Sequence, residues 1–213
     1  MKSKASIKRI LHTLDALYPF DGVCFLNYEN EKPWQLLFAT ILSAQCTDAR
    51  VNMVTPDLFA KFPTLESYTT ANIADIEKVI HSTGFYRSKA KSLQETAQKL
   101  LSEHSGNLPS DITELTALPG VGRKTANVVR SHIFNQPSIV VDTHVKRITK
   151  KLGLTESTDP VKIEFELMEL LPKKHWIPYN QQIISHGRAV CTAQSPKCDK
   201  CKLKPECREG LSR

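Results

Sequence analysis

Apolar side chains recur every three to four residues along almost the whole chain, and that period limits what the chain can become. Trp34, Leu37, Phe38, Ile41 and Leu42 follow it, as do Ile73, Ile76, Val79 and Ile80, then Ala90, Leu93, Ala97, Leu100 and Leu101. Each set paints one buried face on a helix. Ile7, Leu11, Leu14 and Leu17 repeat the stripe near the start, and Val161, Phe165, Met168 and Leu171 repeat it ahead of Pro172. "TPDLFAKF" reads as Thr55 capping a helix that begins at Pro56. "NQPSIVVDTHVKRITKKLGL" could open as a strand, but Val141, Val145, Ile148 and Leu152 fit a helix better, with Asp142 near its start as a cap. The expectation is an all-α protein.

The pattern breaks most sharply at "LPGVGRKTA", Leu118 to Ala126. A short helix capped by Ser110 or Asp111 leads into it, and a second helix from about Arg123 to Phe134 leads out, so two glycines join two helices. Gly120 and Gly122 can both take positive φ and bring backbone N–H groups close to a ligand, which suits an anion held at a helix N-terminus. Lys124 then stands at the positive end of the helix dipole, where a cation is mildly disfavoured. A poor place for a structural lysine suits a nucleophilic one, because a lysine attacks as the neutral amine. In isolation the motif fits a solvated helix lysine better, and only the other motifs tip the balance.

The 213 residues suffice for one large domain or two small ones, with a boundary placed near "FNQPS". "WQLLFATILSAQ" is too short to cross a bilayer, and "MKSKASIKRILHTLDAL" lacks the apolar stretch of a secretory signal. The sequence therefore reads as cytoplasmic. With 29 Lys and Arg against 22 Asp and Glu, the net charge is +7. That balance favours a polyanion, nucleic acid first, although a basic protein without such a partner stays open on charge alone. The excess gathers late: from Arg188 to Arg213 seven basic side chains stand against three acidic ones.

Cys191, Cys198, Cys201 and Cys207 form C-x6-C-x2-C-x5-C. A cytosolic protein has little use for disulfides, so a metal site is the natural reading. Structural zinc usually takes two C-x2-C pairs set well apart, whereas four thiolates from one short loop can enclose a 4Fe–4S cubane. Spacing favours iron–sulfur and leaves zinc open. Cys24 and Cys46 stand outside the set and read as reduced, buried small hydrophobes rather than ligands.

Taken together, "LPGVGRKTA", "VDTHV", the terminal cysteines, "ILSAQCTD" and "TGFYRSKA" resemble the endonuclease III family of the helix-hairpin-helix superfamily, DNA glycosylases that are also abasic-site lyases. The likeness extends over essentially the whole chain. It implies two helical domains with a DNA-binding cleft between them, residues 26–136 and residues 1–25 with 137–213. It implies a 4Fe–4S cluster on Cys191, Cys198, Cys201 and Cys207, with Lys124 and Asp142 catalytic. DNA contacts fall on Pro119, Gly120, Val121, Gly122 and Arg123, and Gln45 fills the gap left by an extruded nucleotide. The resemblance implies a second wedge at Phe85, a departure from the family's frequent leucine, where a flat aromatic could still wedge or stack. The implied partner is double-stranded DNA with oxidised pyrimidines or abasic sites. The protein is expected as a monomer without membrane association, cytoplasmic and on the nucleoid if bacterial.

Overall fold

The computed structural model describes residues 2–212, in which eleven α-helices and no strand are found. In chain order they are α1 (Lys4–Leu17), α2 (Trp34–Leu42), α3 (Asp48–Lys61), α4 (Leu65–Thr70), α5 (Ile73–Ile80), α6 (Tyr86–His104), α7 (Ile112–Thr116), α8 (Arg123–His132), α9 (Thr143–Leu152), α10 (Pro160–Leu170) and α11 (Trp176–Ala189). The all-α expectation is borne out. The chain divides into two compact units, Cys24–Asn135 and Met1–Val23 with Gln136–Arg213.

The continuous unit is built round α2. All nine residues of α2 are buried, so the helix is enclosed by α3, α6 and α8 instead of presenting the single apolar face that its spacing suggests. Trp34 and Phe38 pack edge to face at 5.2 Å between ring centroids, and Phe38 meets Tyr68 at 4.9 Å. Such aromatic pairs contribute about 0.5–1.5 kcal/mol beyond their buried area. The enclosure fixes the C-terminus of α2, from which the chain turns out to Gln45.

One predicted boundary is wrong. Thr55 does not cap a helix and Pro56 does not begin one: α3 starts eight residues earlier, at Asp48, and Pro56 lies inside it. Thr47 is the cap, its Oγ1 accepting from the Arg50 N–H at 3.2 Å, and Asp48 in the first turn complements the dipole. Pro56 removes one backbone hydrogen bond, but burial of Val51, Val54, Thr55 and Leu58 on one face carries the helix through it. Helix α4, capped by Thr64 and Ser67 reciprocally, has no counterpart among the predicted elements.

In the discontinuous unit, α1 buries Ile7, Ile10, Leu11 and Leu14, while Leu17 is exposed. Gln182 on α11 donates from Nε2 to the Asp15 carboxylate at 2.9 Å and to the Tyr18 carbonyl at 3.3 Å, tying α11 to the end of α1. Helix α10 exists where its spacing places it but turns a different face inward. Ile163, Glu164 and Leu167 are buried, whereas Val161 and Phe165 are exposed. Apolar residues occupy both sides of α10, and the neighbours, not the period, decide between them. Among the described residues no helix is long and apolar enough to cross a membrane.

Candidate active site and cysteine loop

The glycine hairpin lies between α7 and α8, as the sequence indicates. Leu118 and Val121 are buried and anchor it in the core, and the Val121 N–H closes the turn on the Leu118 carbonyl at 3.1 Å. From α6, Thr96 Oγ1 donates to the Pro119 carbonyl at 2.8 Å and Lys99 Nζ to the Ala117 carbonyl at 3.0 Å. The hairpin is thus fixed from below while Gly120 and Gly122 face solvent.

The two glycines do different work. Gly120 has φ +75°, and a Cβ there would come within 2.8 Å of Ser92 Cβ and Oγ. Gly122 was expected in the same left-handed region but is extended, φ −88° and ψ 174°, as the cap residue of α8. A Cβ at Gly122 would meet nothing within 4 Å. The fold therefore demands glycine at 120 and leaves 122 open to whatever approaches from outside.

Seven helices, α1, α3, α4, α5, α7, α9 and α10, begin with a side-chain cap, and α8 is one of the four that do not, with α2, α6 and α11. Its first turn keeps the positive end of the dipole available to an anion. Lys124 is the second residue of that turn and is exposed, and its side chain makes no hydrogen bond or ion pair among the described residues. Arg123 beside it is half-buried. Val121, with its side chain in the core and its N–H spent on the Leu118 carbonyl, serves to hold the turn.

Gln45 and Phe85 belong to the same unit and share an unusual backbone. Both are non-glycine residues at positive φ, 52° for Gln45 and 49° for Phe85, and both are exposed. For a bulky residue this region is a true outlier, of order 1–3 kcal/mol, which native structures retain mainly at functional positions. Phe85 follows Gly84 at φ +71° and is 65% exposed, so an aromatic ring is held out in water by two successive left-handed residues. Close by in sequence, Lys89 is a feature the spacing did not reveal. It is only 5% exposed, and Nζ donates to the Leu42 carbonyl at 2.8 Å and the Thr83 carbonyl at 2.9 Å. Its position four residues before Leu93, on the apolar stripe of α6, was the available signal.

In the discontinuous unit Asp142 caps α9, accepting from the Val145 N–H at 2.7 Å, and is half-buried. One carboxylate oxygen is engaged in that bond. The remaining lone pairs of the carboxylate can serve a cation or a proton.

The four late cysteines are all free thiols and half-buried, and together with Ile148 and Leu203 they line one recess of about 450 Å3, open solvent included. Burial pushes the Cys191 and Cys201 thiols above their ordinary value. Polar groups surround the sulfurs. Arg147 donates to the Cys191 carbonyl at 2.6 Å and approaches its Sγ at 3.7 Å, and the Gly210 N–H donates to Cys207 Sγ at 3.3 Å. His186 places Nε2 3.6 Å from Cys201 Sγ and Nδ1 3.1 Å from the Tyr18 hydroxyl. Burial, with the Arg147 charge, lowers its pKa to about 4, so the ring is neutral. No group of three or more His, Cys, Asp or Glu converges as for a single ion among the described residues. Four thiols on one recess, rimmed by N–H donors, do suit a multinuclear cluster in their donor chemistry.

Residues 38–173 match the family described as HhH-GPD superfamily base excision DNA repair protein. Endonuclease III of Synechocystis sp. is 49% identical over 205 residues, 96% of this chain and 92% of the relative. Endonuclease III of Bacillus subtilis is 45% identical over 212 residues, 98% and 95% of the two chains. Among solved structures, a trapped endonuclease III–DNA covalent intermediate superposes with a TM-score of 0.94 at 42% identity, covering 100% of this chain and 99% of that one. A thermostable thymine-DNA glycosylase has the same fold, with a TM-score of 0.84 at 20% identity over 99% and 100% of the chains. The chain belongs to the HhH-GPD superfamily and, within it, to the endonuclease III family. It is an enzyme, a DNA glycosylase and abasic-site lyase.

Proposed function

We propose that this enzyme removes oxidised pyrimidines from duplex DNA and cleaves the resulting abasic site by β-elimination, with Lys124 as nucleophile and Asp142 assisting. The observation that carries the reading is Lys124: exposed, without a partner, in the first turn of a helix that lacks a side-chain cap. In a relative 42% identical over the full chain, a covalent protein–DNA intermediate has been trapped.

A base inside the stack is out of reach, so the nucleotide must leave the duplex first. The hairpin from Pro119 to Gly122 holds a backbone phosphate through the Gly120 and Gly122 N–H groups, Val121 N–H being used in the turn itself, and positions the strand without reading its sequence. Gln45 and Phe85 enter the vacated space, where the flat ring can stack on neighbouring bases. Lys124 Nζ then attacks C1′ and the C1′–base bond breaks, the base leaving with a proton; the C1′–O4′ bond opens next, O4′ taking a proton from the amine side, and the nitrogen becomes a Schiff base at C1′. Loss of a C2′ proton expels the 3′ phosphate. The Asp142 carboxylate stabilises the cationic sugar in the transition state and carries protons between steps.

Cys191, Cys198, Cys201 and Cys207 hold a 4Fe–4S cluster in the proposed enzyme. Bound there, the cluster ties the four thiolates into one rigid basic loop. The protein acts as a monomer in the cytoplasm, on the nucleoid in a bacterial cell.

Borohydride trapping on a duplex carrying an oxidised pyrimidine tests the chemistry. The wild type forms a covalent adduct, and Lys124→Ala does not. Asp142→Asn keeps the cap, because asparagine caps as well as aspartate; it folds normally and turns over about a hundredfold or more slowly. No adduct from cluster-loaded wild type, on that duplex or on an abasic site, removes the Schiff-base mechanism.

A further inference from the structure

Lys89 is a buried amine for which the proposed chemistry has no use. It has no ion-pair partner among the described residues, and it spends its donors on two backbone carbonyls far apart in sequence. Removing an amine from water is costly unless its donors are satisfied, so a buried lysine at this place needs a reason.

The identity of the two acceptors supplies one. Leu42 is the last residue of α2, and its carbonyl is one of those a helix end leaves without an intrahelical partner. Gln45 stands three residues further on. Thr83 ends the 3-10 turn His81–Thr83, and Phe85 stands two residues beyond it. Lys89 also donates its own backbone N–H to the Phe85 carbonyl at 3.1 Å. A single residue in the first turn of α6 therefore holds the root of the Gln45 loop and both ends of the Gly84–Phe85 segment.

Left-handed backbone at a non-glycine residue persists only where its surroundings enforce it. Gln45 and Phe85 are two of the four such residues described, and the bonds of Lys89 reach both of their loops. We propose that Lys89 is a positioning residue for nucleotide extrusion, holding the Gln45 and Phe85 loops at one fixed spacing so that the two side chains enter the duplex together. The proposal rests on the reading of Gln45 and Phe85 as the residues that fill the vacated space. Burial holds the Lys89 amine below its ordinary pKa, with Cys46 opposing. The clamp does not depend on that charge, since ammonium and free amine both keep the two N–H groups the carbonyls require.

The test uses the cluster-loaded full chain and compares Lys89→Met, Gln45→Ala with Phe85→Ala, and the triple variant. The fluorescence of 2-aminopurine set beside the lesion reports unstacking, and single-turnover rates are taken on the lesion duplex and on a preformed abasic site. Lys89→Met keeps the unbranched stem and loses both bonds. It slows base removal about tenfold to a hundredfold and lowers the unstacking signal, with a smaller effect on the abasic site, where there is no base to remove. In the triple variant the loss at Lys89 adds nothing, because the side chains it positions are already gone. Full additivity in the triple variant, or equal loss on both substrates, overturns the proposal and leaves Lys89 a merely structural residue. If Gln45→Ala with Phe85→Ala unstacks the duplex as wild type does, the reading of the wedge fails and the clamp falls with it. If that variant loses the signal and Lys89→Met keeps it, the wedge stands and the clamp alone is refuted. Should Lys89→Met not fold, Lys89→Gln has donors on a stem too short to reach both carbonyls, and the same outcomes apply.

Discussion

Gly120 and Gly122 differ by two positions and should respond oppositely to one methyl group. At Gly120 an alanine must hold φ +75°, at roughly 1–2 kcal/mol, and must push its Cβ into Ser92 Cβ and Oγ at 2.8 Å, where overpacking adds about 1–3 kcal/mol. Ser92 sits on α6, itself packed against α2, α4 and α5, so little of the clash can relax. Gly120→Ala should therefore destabilise the unit Cys24–Asn135 by about 2–5 kcal/mol. At Gly122 the backbone is ordinary and the surrounding space is empty. Alanine is the poorer cap, but it reduces the freedom of the unfolded chain by about 0.4–1 kcal/mol, and the two effects nearly cancel. Its methyl group instead stands where a phosphate would meet the amides of α8. Loss of one charge-assisted hydrogen bond lowers DNA affinity about tenfold to a hundredfold.

The two tryptophans make the assay specific, since Trp34 reports the continuous unit and Trp176 the other. With Trp176→Phe as background, denaturant unfolding read by fluorescence gives the stability at Trp34, and anisotropy of a labelled abasic-analogue duplex gives affinity. Gly120→Ala should shift the unfolding midpoint, and Gly122→Ala should shift affinity alone. Equal destabilisation by the two substitutions would refute the reasoning, as would normal DNA affinity in Gly122→Ala.

Two further outcomes are expected. Burial in α8 lowers the His132 pKa below its ordinary 6.5, so the folded protein holds the ring neutral while the unfolded chain takes up a proton as pH falls. The continuous unit should keep its full stability above that value and lose it progressively below, and His132→Gln should flatten the urea midpoint against pH. Cys198→Ser should lose visible cluster absorbance, weaken the Trp176-reported transition and reduce DNA affinity before it alters chemistry; full absorbance with normal binding rejects the cluster assignment.

The helices were largely legible because period 3.6 is a local property, and α2, α5, α6 and α9 lie where their apolar residues place them. The start of α3 was not. Thr55–Pro56 is a strong local signal, yet Thr47 and Asp48 begin the helix earlier and a buried face spans the proline. The inward face of α10 was illegible for a related reason, since apolar residues lie on both sides and only the neighbours choose. At the site, the hairpin and Lys124 could be read as a motif, whereas the difference between Gly120 and Gly122 depends on Ser92, far away in sequence. Lys89 is the extreme case: its partners are 47 and 6 residues distant, and no spacing along α6 reports them.

The discontinuity of one unit sets an order on synthesis. Cys24–Asn135 is an unbroken segment with a core of its own, and it can fold as soon as it has emerged. Helix α1 cannot, because Ile7, Ile10, Leu11 and Leu14 are covered by residues from Ile139 onward. At about 5–20 residues per second that wait lasts on the order of ten seconds. During it an apolar stripe hangs from the ribosome beside a finished neighbour, so α1, made before the continuous unit, is covered only after it.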